Sequence, residues 1–356
     1  LAAYNLESYG IIPILMSMVL GLILVMSFIS KPQVHPDESI HIKSAKYYSE
    51  NWIPPKVCQP ETEWAYSPYG VSRLNSLEAF YFFAGKYYVL AKFLPGPMIF
   101  QFRSLNFLFF SMLTLMALLR PEFRLYCIPL LLSPQIWYVF SYFNSDAFAL
   151  FVCYLLIYQF FMPDSFLNRF INKNGNKIFT FLSGIFWGGI LIGLIPFIKK
   201  NYYVFGIYIL CFGFLKLMSN RHEVSRSQLM NWGAVLCMGL LIVTARYGFD
   251  AYLNGLSRSN KESQCREALA KYKFKPSTPA DDQWFGLSMR QKGVTLQEVF
   301  NRYGWGRISF QSTFGVYGPM SIYPNSWIIS IYKAILLCFA GIIIYCGFKG
   351  NLMTWG

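Results

Sequence analysis

The amino-acid sequence predicts an all-α membrane protein that crosses the bilayer several times. Of its 356 residues, 55% are hydrophobic and only 13% are charged, a balance that soluble globular domains do not show. The apolar residues fall into separate runs of about twenty residues, the length that a helix needs to cross a bilayer. The sequence lacks the short segments of alternating polarity that form transmembrane β-barrels.

The apolar runs predict about eight transmembrane helices in a single membrane domain that covers residues 1–356. The first run is too long for a signal peptide and lacks the small-residue cleavage site, so we interpret it as a span. The predicted spans are Ile11–Ile29, Met98–Leu119, Leu125–Phe143, Ala147–Met162, Ile178–Ile198, Tyr202–Leu217, Leu229–Ala245 and Trp327–Phe348.

Basic residues predict which way the chain is oriented. The short connections after the second, fourth and sixth spans are rich in Lys and Arg, and such loops mark the cytoplasmic side. We therefore expect an integral membrane protein with a cytoplasmic N-terminus and two long extracytoplasmic loops, residues 30–97 and 246–326. The basic residues are Arg120, Arg124, Arg169, Lys173, Lys177, Lys216, Arg221 and Arg226.

The net charge of +14 bears on the partners of the protein. Because the excess charge lies in loops beside membrane spans, anionic lipid is a better counterpart than nucleic acid. Cys58 and Cys265 are the cysteines in long polar loops, and they are candidates for a disulfide if the compartment is oxidising. No cysteine spacing indicates a zinc site.

Both long loops are predicted to contain short helices. Residues 37–51 place Asp37, His41 and Tyr48 on one helical face, and residues 75–93 mix aromatic and basic residues as interfacial helices do. In the second loop, a basic helical piece is predicted near Ser263–Tyr272, and Thr295 precedes Glu298 in a capping-box pattern.

Asp37, Glu38 and His41 are the first candidates for chemistry, because they follow the first span directly. A carboxylate just outside the bilayer can act as a general base toward a hydroxyl, with His41 one turn away to orient it. Two alternatives stay open. Asp37 is also a suitable N-cap with Glu38 in the first helical turn, and Asp37, His41 and Asp146 together are compatible with a divalent cation.

Asn144 and Asp146 form a second polar site at the predicted outer ends of two spans, where a helix cap is the alternative interpretation. Lys199 and Lys200 end the fifth span on the same predicted face. They either extend to the interface as ordinary flanking lysines or bind the phosphate of a lipid. Arg307 is a further phosphate-binding candidate in the Gly- and aromatic-rich stretch of the second loop.

The order of these motifs resembles the GT-C superfamily of membrane glycosyltransferases. The resemblance is nearest to a branch of predicted polytopic membrane proteins with a Pro-Asp-Glu-x-x-His element in the first loop, matched here by residues 36–41. That branch also has an Asn-x-Asp turn, matched by Asn144 and Asp146, and a late Phe-Gly stretch before a span, matched by Phe314 and Gly315.

The resemblance implies a GT-C-like fold and a cell-envelope enzyme, which we expect in the bacterial inner membrane. It implies a polyprenyl-phosphate sugar as donor, an extracytoplasmic acceptor, and Asp37 as the catalytic base. Two other classes stay open. One is a non-catalytic subunit of the same fold with membrane protein partners, and the other is a transporter, which favours charged or broken helices near the midplane.

Overall fold

The structure, a computed structural model, describes residues 10–172, 177–219, 225–318 and 320–348. Regular structure in these ranges is helical, and β-structure in them is limited to one isolated antiparallel bridge between Tyr317 and Ile322. The predicted all-α class is therefore confirmed.

The helices of the first half are α1 to α8. They are α1 (Ile11–Ile29), α2 (Glu38–Glu50), α3 (Phe80–Ala91), α4 (Met98–Leu119), α5 (Ile128–Leu132), α6 (Pro134–Ser141), α7 (Ser145–Phe161) and α8 (Phe166–Ile171). Short 3₁₀ helices connect them at Pro60–Ala65, Arg73–Asn75 and Pro121–Cys127.

The helices of the second half are α9 to α16. They are α9 (Lys177–Leu194), α10 (Tyr203–Ser219), α11 (Arg226–Asn254), α12 (Arg258–Leu269), α13 (Phe285–Ser288), α14 (Leu296–Asn301), α15 (Trp305–Phe314) and α16 (Ser326–Phe348). Further 3₁₀ helices lie at Ile195–Phe197, Lys200–Tyr202 and Tyr272–Phe274.

Four stretches of helix are long and apolar enough to cross a membrane: Ile11–Ile29, Met98–Leu119, Ser145–Ile171 and Arg226–Asn254. Two shorter apolar helices cover Leu182–Phe197 and Ser326–Ile342. By length and composition, the chain belongs to the class of α-helical membrane proteins. The arrangement of about eight spans remains a prediction.

The predicted span Leu125–Phe143 is not one helix. The chain here forms a 3₁₀ helix, Pro121–Cys127, and then the short helices α5 and α6, with a break at Ser133. Pro134 starts α6, and a proline disfavours helical backbone at the residue before it, so the helix cannot run through Ser133. The break lets this segment fold back beside α1 and α4.

Helix α11 is longer than the predicted span Leu229–Ala245. It has 29 residues, or about 44 Å at 1.5 Å per residue, and exceeds the roughly 30 Å hydrocarbon core. The added turns carry Arg246, Asp250 and Asn254 at four-residue spacing, so a polar face extends beyond the apolar part of the helix.

The short basic connections lie together at one end of the helices. Arg120 approaches Asp164 at 3.6 Å, and the Gln228 amide donates to Asn172 at 3.0 Å. Lys173 and Arg221, which also supported the predicted orientation, lie outside the described residues. The contacts agree with a shared face for these loops, whereas the cytoplasmic side remains a prediction.

The two long loops pack against each other at the opposite end. The Val57 N–H donates to the Asn254 side chain at 2.8 Å, and the Lys271 N–H donates to the Pro68 carbonyl at 3.0 Å. A disulfide joins Cys58 to Cys265 across a sequence separation of 207 residues. The pairing that the sequence left open is therefore present, and residues 57–79 and 254–284 form one layer, the outer layer.

The helices predicted in the loops are present. Helix α2 buries His41, Ala45 and Tyr48, which share one face as their spacing of four and then three residues predicted, whereas Asp37 of the same predicted face is exposed. It packs so closely on α3 that a Cβ added at Gly85 would lie 2.5 Å from the Ala45 carbonyl oxygen. The capping box is also confirmed, since the Thr295 side chain accepts from the Glu298 N–H.

Candidate functional site

A buried ion pair lies under the outer layer. The Arg103 guanidinium donates to both carboxylate oxygens of Glu38 at 2.7 Å, and their side chains are only 0% and 1% exposed. Glu38 also accepts from the Phe143 N–H at 2.9 Å. Both oxygens of Glu38 are therefore engaged inside the protein.

Arg103 connects this pair to the end of the first span. Its guanidinium donates to the carbonyls of Ser27 and Ser30 at 3.0 and 2.7 Å, where the last carbonyls of α1 lack helical partners. The sequence reasoning missed this residue. A single arginine inside the apolar run of α4 was the available signal, because such charges are costly unless they are paired.

Asn106 and Asn144 shape the turn that begins α7. The Asn106 amide donates to the Tyr142 carbonyl at 2.6 Å, and the Asn144 side chain accepts from the Ala147 N–H at 3.1 Å. Asn144 is thus the N-cap of α7, as the capping alternative predicted for this turn. The turn is held firmly, and it positions Asp146 in the first turn of the helix.

Asp37 does not cap α2. It occupies the N-cap position in a left-handed conformation with φ of 54°, and its side chain makes no capping hydrogen bond. The capping interpretation of Asp37 is therefore wrong. The carboxylate instead points toward Arg73 at 3.7 Å and keeps 49% of its side-chain surface exposed. Left-handed non-glycine residues are uncommon and cluster at functional sites.

Asp146 pairs with Lys199 at 2.5 Å, with 19% and 24% of the side chains exposed. Two predicted site residues are thus in direct contact, although they are 53 residues apart in sequence. The pair explains how a carboxylate is tolerated at the end of an apolar helix.

His41 bonds to Tyr81 rather than to Asp37, with 2.7 Å between Nδ1 and the hydroxyl oxygen. Burial lowers the pKa of His41 well below its usual value, and the charges of Arg73 and Lys199 lower it further. His41 is thus neutral at physiological pH.

The suggested metal site is not formed. Asp37, His41 and Asp146 each have another partner, and the described residues contain no cluster of three or more His, Cys, Asp or Glu side chains suited to a metal ion.

A cavity of about 830 Å³ lies between the outer layer and the turn that joins α9 to α10. Its wall contains both predicted lysines, Lys199 and Lys200, and also Arg73, the partner of Asp37. The other charged lining residues are Glu78, Arg258, Glu262 and Arg266. Five cations and two carboxylates give the wall a positive balance, which favours an anionic ligand.

Two of the predicted site residues, Lys199 and Lys200, line the cavity. Asp37 and Asp146 do not line it, but each is paired with a basic side chain of its wall. Arg307 is exposed on α15 and does not line the cavity. Sequence reasoning missed Arg73 and Glu78, which lie in an irregular part of the first loop where no periodic pattern singles them out.

Fold and site together define an α-helical membrane protein with a charged cavity at one end of its helices. No protein family, no curated protein and no solved structure matches the chain.

Proposed function

We propose that the protein is a GT-C-like membrane glycosyltransferase that moves a sugar from a polyprenyl-phosphate donor to an extracytoplasmic acceptor. The observation that carries the proposal is the basic cavity whose wall residue Arg73 pairs with Asp37. A phosphate needs cations, and an acceptor hydroxyl needs a nearby base.

The phosphate end of the donor is assigned to the lysine side of the cavity. Lys200 is exposed and has no carboxylate partner among the described residues, while Lys199 shares its charge with Asp146. Ile198, Tyr203 and Tyr247 line the same cavity, so an apolar wall continues from the cations toward the membrane helices. A lipid phosphate fits that combination of surfaces.

The reaction needs little covalent help from the protein. The acceptor oxygen attacks the sugar carbon that carries the phosphate, the bond from that carbon to the phosphate oxygen breaks, and the acceptor proton passes to Asp37. The phosphate leaves with its charge held by Lys199 and Lys200. Asp37 is suited to this step because half of its side chain remains accessible beside Arg73.

Glu38, Asn144 and His41 have positioning roles in this proposal. The buried pair of Glu38 with Arg103 fixes the residue next to Asp37. Asn144 starts the helix that carries Asp146, and His41 fixes α2 against Tyr81. These contacts keep the base and the phosphate-binding cations at a constant separation.

The test is sugar transfer by purified protein in detergent, with farnesyl phosphate carrying a labelled sugar as donor. We expect Asp37→Asn to remain folded and to lose transfer by roughly a hundredfold or more, the scale for loss of a general base. Lys200→Gln is expected to raise the KM for the donor and also to lower kcat, because Lys200 holds both the bound phosphate and its charge as it leaves.

Arg307→Gln is the matched control, because Arg307 is basic, exposed and outside the cavity wall. Its substitution tests the predicted phosphate role of Arg307 in the same assay. Equal transfer by Asp37→Asn and the parent contradicts the proposal. A parent that neither binds nor transfers the donor but purifies with a stoichiometric membrane partner supports the subunit class instead.

A further inference from the structure

Glu78 is the carboxylate in the cavity wall without a partner. Asp37, Asp146 and Glu262 lie 3.7, 2.5 and 3.0 Å from basic side chains. No cation or hydrogen-bond donor of the described residues pairs with Glu78, which is half-buried with its Oε2 atom turned away from solvent. Because Glu78 lines the cavity, the accessible part of this unpaired carboxylate can accept a hydrogen bond from a ligand there.

The backbone holds Glu78 against the turn that carries the cavity lysines. The Ala79 N–H donates to the Phe197 carbonyl at 2.8 Å, and the next residue, Phe80, is fully buried. One turn later, burial raises the pKa of the Tyr81 hydroxyl well above its usual value, and the charge of Glu78 raises it further. The docking of α3 therefore fixes the backbone of Glu78 in the cavity wall.

The cavity thus has groups for two different ends of a ligand. Lys200 and Arg266 have no carboxylate partner among the described residues and attract an anion. Glu78 repels an anion and instead accepts hydrogen bonds from neutral donors. A ligand that satisfies both carries a phosphate and, separately from it, hydroxyl groups.

We propose that Glu78 accepts a hydrogen bond from a carbohydrate hydroxyl and sets the preference of the cavity for a sugar over a bare phosphate. This inference rests on the proposed function for the nature of the anionic end. The hydroxyl belongs either to the sugar of the donor or to a sugar acceptor. A carboxylate that hydrogen-bonds a ligand hydroxyl rejects analogues that lack the hydroxyl.

The experiment compares binding of farnesyl phosphate with binding of farnesyl phosphate that carries mannose, glucose or N-acetylglucosamine, by titration of the purified full chain. We expect the parent to bind at least one sugar-bearing lipid about tenfold to a hundredfold more tightly than farnesyl phosphate. Glu78→Ala is expected to lose that preference and Glu78→Gln to lose part of it, because the glutamine oxygen still accepts a hydrogen bond. Both variants should still bind farnesyl phosphate, which also shows that they are folded. Glu50→Gln, an exposed glutamate outside the cavity wall, is the control.

A second arm identifies the source of the hydroxyl. If the parent loaded with farnesyl phosphate binds a methyl glycoside of one of these sugars, and Glu78→Ala loses that binding, the hydroxyl belongs to the acceptor. The inference is overturned if the parent shows neither the preference for a sugar-bearing lipid nor binding of a glycoside, or if Glu78→Ala retains what the parent shows. Because these are binding measurements, a parent that shows the Glu78-dependent preference without transfer contradicts only the proposed function.

Discussion

The buried pair of Glu38 and Arg103 offers the sharpest test of the structure. Both side chains are almost fully inaccessible, and two bonds of 2.7 Å join them. Removing one member of such a pair strands the other charge, at a cost of about 3–5 kcal/mol. We expect the loss of unfolding free energy for Glu38→Gln to lie near the lower limit of this range, since the glutamine oxygen still accepts a hydrogen bond from the Phe143 N–H. Arg103→Gln also loses two backbone carbonyl contacts and is expected near the upper limit.

The double variant separates a stranded charge from general damage. With both residues changed to Gln, no buried charge is left, so the loss is expected to stay near that of Arg103→Gln alone. The two single losses add to about 8 kcal/mol and the double loss is about 5, which gives a coupling energy of about 3 kcal/mol. The measurement is denaturant unfolding in detergent, followed by tryptophan fluorescence and circular dichroism.

Arg73→Gln is the matched control, since its pair with Asp37 is 28% and 49% exposed and is separated by 3.7 Å. An exposed pair of this kind contributes about 0–1 kcal/mol. Arg73→Gln should have a free energy of unfolding within about 1 kcal/mol of the parent value. If Glu38→Gln does so too, the charges of Glu38 and Arg103 are not buried together.

Three further predictions concern pH, the disulfide and the membrane sides. Burial lowers the pKa of His35 from 6.5 to about 4, so between pH 6.5 and pH 4 this residue should lower the free energy of unfolding by about 1.4 kcal/mol per pH unit, a total loss of about 3 kcal/mol. Because burial also lowers the pKa of His41, His41 adds to the same pH dependence, and His35→Phe should reduce the slope of unfolding free energy against pH without abolishing it. An unchanged slope contradicts the prediction. Cys58→Ser should lower stability by about 2–5 kcal/mol, because the bridge closes a loop of 207 residues; reductant should then have no further effect on thermal unfolding. A single cysteine placed at Asp37, Asp146, Lys200 or Arg307 should react with a membrane-impermeant reagent only from the extracytoplasmic side. Labelling of any one of these cysteines from the cytoplasmic side contradicts the shared face.

Local patterns in the sequence predicted the local structure. The spacing of four and then three residues between His41, Ala45 and Tyr48 predicted the helix α2 and their shared face, because side chains at these spacings lie on one side of a helix; in the structure that face is buried. The capping box at Thr295 was predicted for a similar reason, since it depends on residues only three positions apart.

Apart from the candidate disulfide between Cys58 and Cys265, side-chain partners distant in sequence were not predicted. Glu38 and Arg103 are 65 residues apart, and no local rule connects them. The lone arginine in an apolar run did require a partner, but the sequence did not identify which one. The broken span from Leu125 to Phe143 was missed although Pro129 and Pro134 were visible in it, because mean hydropathy over a window takes no account of backbone hydrogen bonds.

The left-handed residue at position 37 explains how two adjacent carboxylates reach different environments. Glu38 starts the helix and faces inward to Arg103, whereas the left-handed turn at Asp37 directs its carboxylate outward to Arg73. This backbone conformation costs most side chains about 1–2 kcal/mol, but Asp and Asn tolerate it. Asp37→Ala would therefore combine backbone strain with the loss of the carboxylate. Asp37→Asn avoids the strain and removes the base together with its exposed pair to Arg73, so it is the better substitution for assigning an effect on transfer to the carboxylate.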